Sequence, residues 1–478
     1  MQLFYTPDHA RVGDVIPYYE NGEFKLFYLK NWNPYFGSDK TYGWHLLTTK
    51  DLIHYESETA IGILGGTGCI IKVEGLYHLY YCVFEDQPQR QYVCHATSTD
   101  LTNWTKYPDE TFGPDESIYL LTDWRDPHVI WNEEEKCWWM ILCAQNQGNT
   151  KRRGCVGLCK SADLHHWTCC EPLYAPQSSM SAYECPDLFY MNGWWYLVFS
   201  QFTDRFQTLY RMSRSCNGPW IRPKTDSFDG RAFYAAKTCS DGEHRYIFGW
   251  NPTRTQNTWN FDPDPTHEGY DYKTYDWGGS LVTHEIYARE DGTLAVRSNP
   301  ALKKALTVSN EIKWIPLNGD WKVEQTSVNV DSPIAYASII SENDVPHQGC
   351  LSLDFTFTPG TERFAVVLQA DQEFARGYYF YLDPKRQRIE YKSAIRMHEQ
   401  GGWTFQYDVE LERPVELIPN QTYSMEIFVD ESVMEVYVND EVAMSVRAYD
   451  LHDRKFGFAV SDGAVKFENV KLTTLGEL

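Results

Sequence analysis

The chain has little that would suit it to a polyanion or a bilayer. Lys and Arg number 43 against 66 Asp and Glu, a net charge of −23, which argues against nucleic acid or an anionic membrane surface as partner. No uncharged apolar run approaches the length needed to span a bilayer. The opening residues, Met1-Gln2-Leu3-Phe4-Tyr5-Thr6-Pro7-Asp8, have neither a basic start nor an apolar core. That predicts a chain without a signal peptide, working in the cytoplasm. The 13 cysteines are then expected to be reduced, buried thiols. Cys155 and Cys159, or the adjacent Cys169 and Cys170, have no second pair at ligand spacing, so neither a metal nor any other cofactor is expected. Long helical periodicity is also missing from the first 290 residues.

What is abundant is aromatic: 15% of the 478 residues, with 17 Trp and 33 Tyr. The length predicts two domains. Over residues 1–290 a strand packed with rings recurs, at Phe24–Tyr28, Leu76–Tyr81, Cys137–Ile141, Trp194–Phe199 and Arg245–Trp250. A second element follows it: Thr49-Lys50-Asp51-Leu52, Ser98-Thr99-Asp100-Leu101 and Ser161-Ala162-Asp163-Leu164, with a degenerate copy at Ser213–Trp220. A four-stranded unit repeating at this period cannot bury both faces alone, and five such strands predict an all-β, five-bladed β-propeller. After a connector over 291–320, residues 321–478 show alternating strands such as Cys350–Phe357 and Met434–Val438, which predict a C-terminal β-sandwich.

Three acids keep phase with the repeat. Asp14 precedes Phe27 by 13 residues, Asp126 precedes Ile141 by 15, and Glu184 precedes Leu197 by 13. Each therefore falls on or just before the first strand of a blade, where the three would converge on the mouth of the central channel. Arg125 beside Asp126 is expected to hold that carboxylate ionised and directed. The neighbours of Glu184, which are Tyr183, Cys185 and Pro186, predict an apolar setting that keeps it protonated.

With these motifs in hand, the chain resembles glycoside hydrolase family 32, the invertases and fructan hydrolases. Trp124-Arg125-Asp126-Pro127 matches that family's Arg-Asp-Pro motif and Tyr183-Glu184-Cys185-Pro186-Asp187 its Glu-Cys motif. Phe233-Tyr234-Ala235-Ala236-Lys237-Thr238 and Phe248-Gly249-Trp250 are similar to further family segments, as is Gly43-Trp44-His45. The resemblance implies cleavage of β-fructofuranosidic bonds in sucrose or fructo-oligosaccharides without a cofactor. It implies Asp14 as nucleophile, Glu184 as general acid/base and Asp126 as stabiliser, with Arg125, Trp44, Lys237, Trp277 and Tyr234 contacting a small-molecule oligosaccharide. The departure is at the first acid. Where the family shows Asn-Asp-Pro-Asn-Gly, this chain reads Gly13-Asp14-Val15-Ile16-Pro17, and Leu29 replaces a family glutamine. Losing amides that hydrogen-bond a sugar should change what fits.

Two other readings share the scaffold. An arabinan- or xylan-active hydrolase would invert, with its carboxyls further apart, and a sugar-binding propeller would need no catalytic acids. The His165-His166 pair reads as part of the blade repeat, and the acidic runs Glu133-Glu134-Glu135 and Asp262…Asp264 as solvated turns. Oligomeric state is not legible.

Overall fold

The computed structural model describes residues 2–36, 43–255, 261, 268–393 and 410–476; Asp262 and Asp264 lie outside them. The chain is nearly all β and divides into two compact units. The propeller unit comprises Tyr5–Pro252 with Trp277–Ala295, and the sandwich unit comprises Met1–Phe4, Thr253–Asp276 and Val296–Leu478. No helix among the described residues is long and apolar enough to cross a membrane.

In the propeller unit, antiparallel meanders follow one another along the chain. The first is β1 (Ala10–Glu20), β2 (Glu23–Trp32), β3 (Gly43–Thr49) and β4 (Tyr55–Ala60). The second is β5 (Gly66–Val73), β6 (Leu76–Asp86), β7 (Gln89–Ser98) and β8 (Thr105–Lys106). The third is β9 (Tyr119–Asn132), β10 (Cys137–Asn146), β11 (Gly154–Ser161) and β12 (Thr168–Tyr174). Then come β13 (Tyr183–Met191), β14 (Trp194–Gln201) and β15 (Gln207–Ser213), and last β16 (Tyr234–Ser240), β17 (Arg245–Pro252) and β18 (Gly279–Ala288). The hydrogen-bonded sheets of this unit number four among its described residues, because β18 continues into β1 through the bridge Val12↔Gly279. The first strands pack on one another in cyclic order, β1 to β5 to β9 to β13 to β16 and back to β1.

The repeated Ser/Thr-x-Asp-Leu segment is the turn between third and fourth strands. In each copy one aspartate oxygen accepts two backbone N–H groups: Asp51 from Ile53 and His54, Asp100 from Thr102 and Asn103, and Asp163 from His165 and His166. The hydroxyl two residues earlier accepts from the leucine N–H at 2.9, 2.9 and 3.0 Å. These bonds hold Leu52, Leu101 and Leu164 at φ of 67°, 65° and 69°, a conformation a bulky residue adopts only when its surroundings impose it. The leucines are buried between sheets. There Leu101 joins Phe27, Trp44 and Tyr81, Leu164 joins Tyr80, Trp124 and Met140, and Leu52 joins Phe24, Tyr28 and Phe248. Each such side chain contributes about 1.5–3 kcal/mol.

In the sandwich unit the 20-residue strand Lys455–Thr474 pairs with Val328–Asp344, and also with Arg363–Ala370 along its first half and Gln348–Phe357 along its second. Phe458 and Phe467 stack at 4.0 Å in its core. The segment Thr253–Asp276 belongs here. Asp271 accepts from Tyr378 Oη at 2.6 Å and from the Tyr449 N–H at 2.7 Å, and Arg254 pairs with Glu410 at 3.1 Å.

Candidate active site

All five first strands break register at one level. The breaks fall between Gly13 and Val15 on β1, between Gly66 and Gly68 on β5, and on β9 opposite Ile141–Cys143. On β13 the break lies between Glu184 and Asp187, and on β16 between Tyr234 and Lys237. A bulge unpairs a residue and re-aims its side chain. Here the re-aimed residues include Asp14, Thr67 and Asp126, whose φ is 57°. Convergence of the acids therefore rests on shared backbone irregularity as well as on strand phase.

Asp14 accepts hydrogen bonds from Thr67 Oγ1 and, at 3.1 Å, from Trp250 Nε1. Burial first, and then the charge of Asp126, push its carboxyl up to about 6; the two donors oppose that shift, and Glu184 adds to it. Asp126 is 4% exposed and accepts the Cys185 N–H at 2.9 Å. Burial raises its pKa, Arg125 opposes that, and Glu184 adds to it. Asp14 feels the charge of Asp126 and Glu184, and Asp126 that of Glu184, so carboxylates from β1, β9 and β13 stand close to one another.

Arg125 acts on Asp126 by charge, opposing the rise in its pKa, but does not direct that carboxylate by a hydrogen bond. Its Nη2 lies 2.8 Å from Glu184 Oε1 and its Nη1 lies 2.6 Å from Asp123 Oδ1, whereas its closest approach to Asp126 is 3.9 Å. The Cys185 N–H directs Asp126. The apolar pocket expected around Glu184 is likewise replaced by a polar one, with Tyr234 Oη donating to Oε2 at 2.6 Å. Tyr183 and Cys185 are buried, but successive side chains of a strand point to opposite faces, so Tyr183 does not surround the Glu184 carboxyl.

The remaining predicted residues divide. Tyr234 is stacked on Phe206 at 4.5 Å and touches Glu184. Trp277 lies over Gly13, where a β-carbon would come within 2.2 Å of its ring. No larger residue fits at 13 while Trp277 keeps that place, which accounts for glycine before the first acid. Lys237 is 2% exposed and donates to the Gly68 carbonyl at 3.1 Å. It is a buried cation whose charge favours ionised Asp126, and it is not an open sugar contact. Trp44 is 1% exposed, donates to the Gly66 carbonyl, and packs with Phe27, Leu29 and Ile63. It belongs to the core. Sequence reasoning missed Thr67, Trp250 and Gln91, whose side-chain oxygen accepts from the Trp124 N–H at 2.9 Å and from Arg125 at 3.3 Å. Trp250 stood in a noted motif. Thr67 had only its glycine-rich surroundings as a signal.

Comparison with known proteins follows this geometry. The family model "Glycosyl hydrolases family 32 N-terminal domain" matches residues 15–271, and "Glycosyl hydrolases family 32 C terminal" matches 321–474. A sucrose-6-phosphate hydrolase of Escherichia coli is 23% identical over 91% of this chain and 86% of its own. A levanbiose-producing levanase of Bacillus subtilis is 24% identical over 70% and 68%. Among solved structures, the exo-inulinase from Aspergillus awamori superposes with a TM-score of 0.71 at 16% identity, covering 100% of this chain and 98% of that one. The sucrose-6-phosphate hydrolase from Lactobacillus gasseri does so at 0.69 and 16%, over 98% and 93%. The N-terminal match opens one residue past Asp14, so that acid enters the site on its geometry.

Proposed function

The chain belongs to glycoside hydrolase family 32, and on that premise we propose that it cleaves β-fructofuranosidic bonds of sucrose or fructo-oligosaccharides by a retaining double displacement. The observation that carries this is the run of contacts joining the three acids: Trp250 donates to Asp14 and lies 5.5 Å from the Tyr234 ring, Tyr234 donates to Glu184, and the N–H of the next residue, Cys185, donates to Asp126. Asp14 attacks the anomeric carbon. Thr67 and Trp250 direct its two oxygens, and the carboxylate gives up its negative charge to the new C–O bond. Glu184 protonates the leaving oxygen and then takes a proton from the incoming water. Tyr234 and Arg125 orient its carboxyl. Asp126, fixed by the Cys185 N–H, binds sugar hydroxyls beside the reacting carbon.

Purified protein is to be screened on sucrose, inulin, levan, short fructo-oligosaccharides and arabino-oligosaccharides, with the first-formed anomer read by NMR. Release of fructose as the β-anomer is expected. An inverted first product, or activity confined to arabinosides, overturns the reading.

The ionised form of Asp14 is the nucleophile, so kcat/KM falls as pH drops through about 6. Thr67→Val removes a donor that favours that ionised form. Its acid limb should move to higher pH by about one unit. An unmoved limb would mean that Asp14 does not govern it.

A cytoplasmic place of work remains part of the proposal, supported by 13 unpaired cysteines. Thiol titration of denatured, unreduced protein purified from its source should find all 13. A count lower by an even number would contradict it.

A further inference from the structure

Away from the three acids, a second cluster of chemistry-bearing side chains joins the meander β5–β8 to the meander β9–β12. His95, on β7, points its Nδ1 at Glu110 Oε2, 2.5 Å away. His165, in the turn after β11, points its Nδ1 at the other oxygen of the same carboxylate, at 2.9 Å. These ligand atoms lie within 4.8 Å of one another. None of the three residues bonds to Asp14, Asp126 or Glu184 among the described contacts, so the proposed fructoside chemistry leaves the cluster unexplained.

We propose that His95, Glu110 and His165 bind one divalent transition-metal ion of the zinc class, which clips these two meanders together. Two imidazoles and a carboxylate are a donor set suited to Zn²⁺ and its neighbours, and unsuited to Ca²⁺ or Mg²⁺, which take oxygen. The charge balance is favourable. Two neutral imidazoles bound through Nδ1 and one ionised carboxylate leave a bound dication with a net charge of +1, each ring keeping its single hydrogen on Nε2.

The surroundings of His95 are those a ligating histidine needs. It is 3% exposed, and its ring is stacked on Tyr80 at 4.6 Å and Tyr107 at 5.2 Å. Its other nitrogen, Nε2, lies 3.0 Å from Nδ1 of the buried His78. With metal on Nδ1, Nε2 carries the hydrogen and donates it to His78, the outer partner that fixes a metal-binding ring. On the opposite side His165 is 38% exposed and Glu110 21%, which leaves a path for the ion and room for a water as fourth ligand. Metal bonds of about 2.0–2.1 Å need ligand atoms roughly 3.3 Å apart in a tetrahedron. The contacts at 2.5 and 2.9 Å therefore lengthen by under about 1 Å each, which the exposure of Glu110 and His165 permits.

The test uses the full chain, stripped with dipicolinate and dialysed, then titrated with ZnCl₂ by calorimetry and with CoCl₂ by visible absorption. Expected are one ion per chain, a rise in melting temperature of a few degrees, and the intense d–d bands of four-coordinate Co²⁺. The paired variant Glu110→Gln/His165→Ala changes partly exposed residues and should fold. It should lose the bands and at least 100-fold in affinity. His78→Phe should weaken binding by about 10–100-fold while keeping the bands, as loss of an outer partner does. Octahedral, pale Co²⁺ spectra, or equal uptake by wild type and the paired variant, would overturn the proposal. So would a metal-independent melting temperature with no calorimetric binding.

Discussion

Asp14→Asn lowers turnover on the order of 10⁴-fold on every fructoside and, at neutral pH, raises the melting temperature. The two effects have one cause. Three interacting carboxylates crowd the site, and burial together with Asp126 holds the Asp14 proton up to about pH 6, against 3.8 for a free aspartate. A group whose folded pKa is raised supports the fold fully below its unfolded pKa, and that support is lost as pH rises through the folded value. Above pH 6 the wild type therefore carries a cost that asparagine does not. After allowance for partial solvent screening, that cost is on the order of 1–2 kcal/mol. Asparagine keeps the local bonding. Its oxygen accepts from Trp250 Nε1, and the Thr67 hydroxyl turns to accept from the new amide. The gain in melting temperature should be present at pH 7.5 and vanish near pH 4. Wild-type-like turnover in Asp14→Asn would remove Asp14 from the nucleophile's role. A stability loss at pH 7.5 would mean that the carboxylate is held by more than the two donors seen here.

That three acids meet was legible because their spacing to the next aromatic strand follows from strand length, a local quantity. The Ser/Thr-x-Asp-Leu copies were legible for a related reason: an Asx turn is closed by bonds among residues two and three apart. Arg125 was read rightly as a charge acting on Asp126 and wrongly as the group that directs it, because neighbours in sequence are not neighbours across a bulge. The break on β9 sends its guanidinium toward Asp123 and Glu184, and no one-dimensional pattern encodes that. Trp44 and Trp277 were indistinguishable by type. Only the packing shows one buried at the Phe27–Ile63 cluster and the other lying across Gly13. The same contact makes the missing asparagine intelligible, since a ring now occupies the space where a side chain at 13 would stand. The His95–Glu110–His165 cluster drew no notice because its members lie on three separate segments, with no ligand spacing to read.

Glu184→Gln separates the two halves of the reaction. Cleavage of sucrose or a fructo-oligosaccharide should fall by about 10²–10⁴-fold, the usual contribution of a positioned general acid where the leaving oxygen needs a proton. An aryl fructoside with a stable phenolate leaves without that proton, so its first step should survive far better. The amide keeps the site's shape, with its oxygen accepting from Arg125 Nη2 as Glu184 does at 2.8 Å. Tyr234 Oη, which donates to the carboxylate at 2.6 Å, must turn to accept from the new NH₂. The second step still lacks a base, and the fructosyl-enzyme should accumulate as a burst of phenol followed by slow turnover. Azide needs no base and should rescue that turnover, giving a fructosyl azide of retained configuration. Applied to Asp14→Asn, the same azide has no covalent intermediate to intercept and should yield an inverted product or none. If the two variants respond alike to azide, or if Glu184→Gln slows the aryl fructoside as much as sucrose, Glu184 is not the proton donor. Asp126, the remaining acid of the three, would then take its place in the scheme.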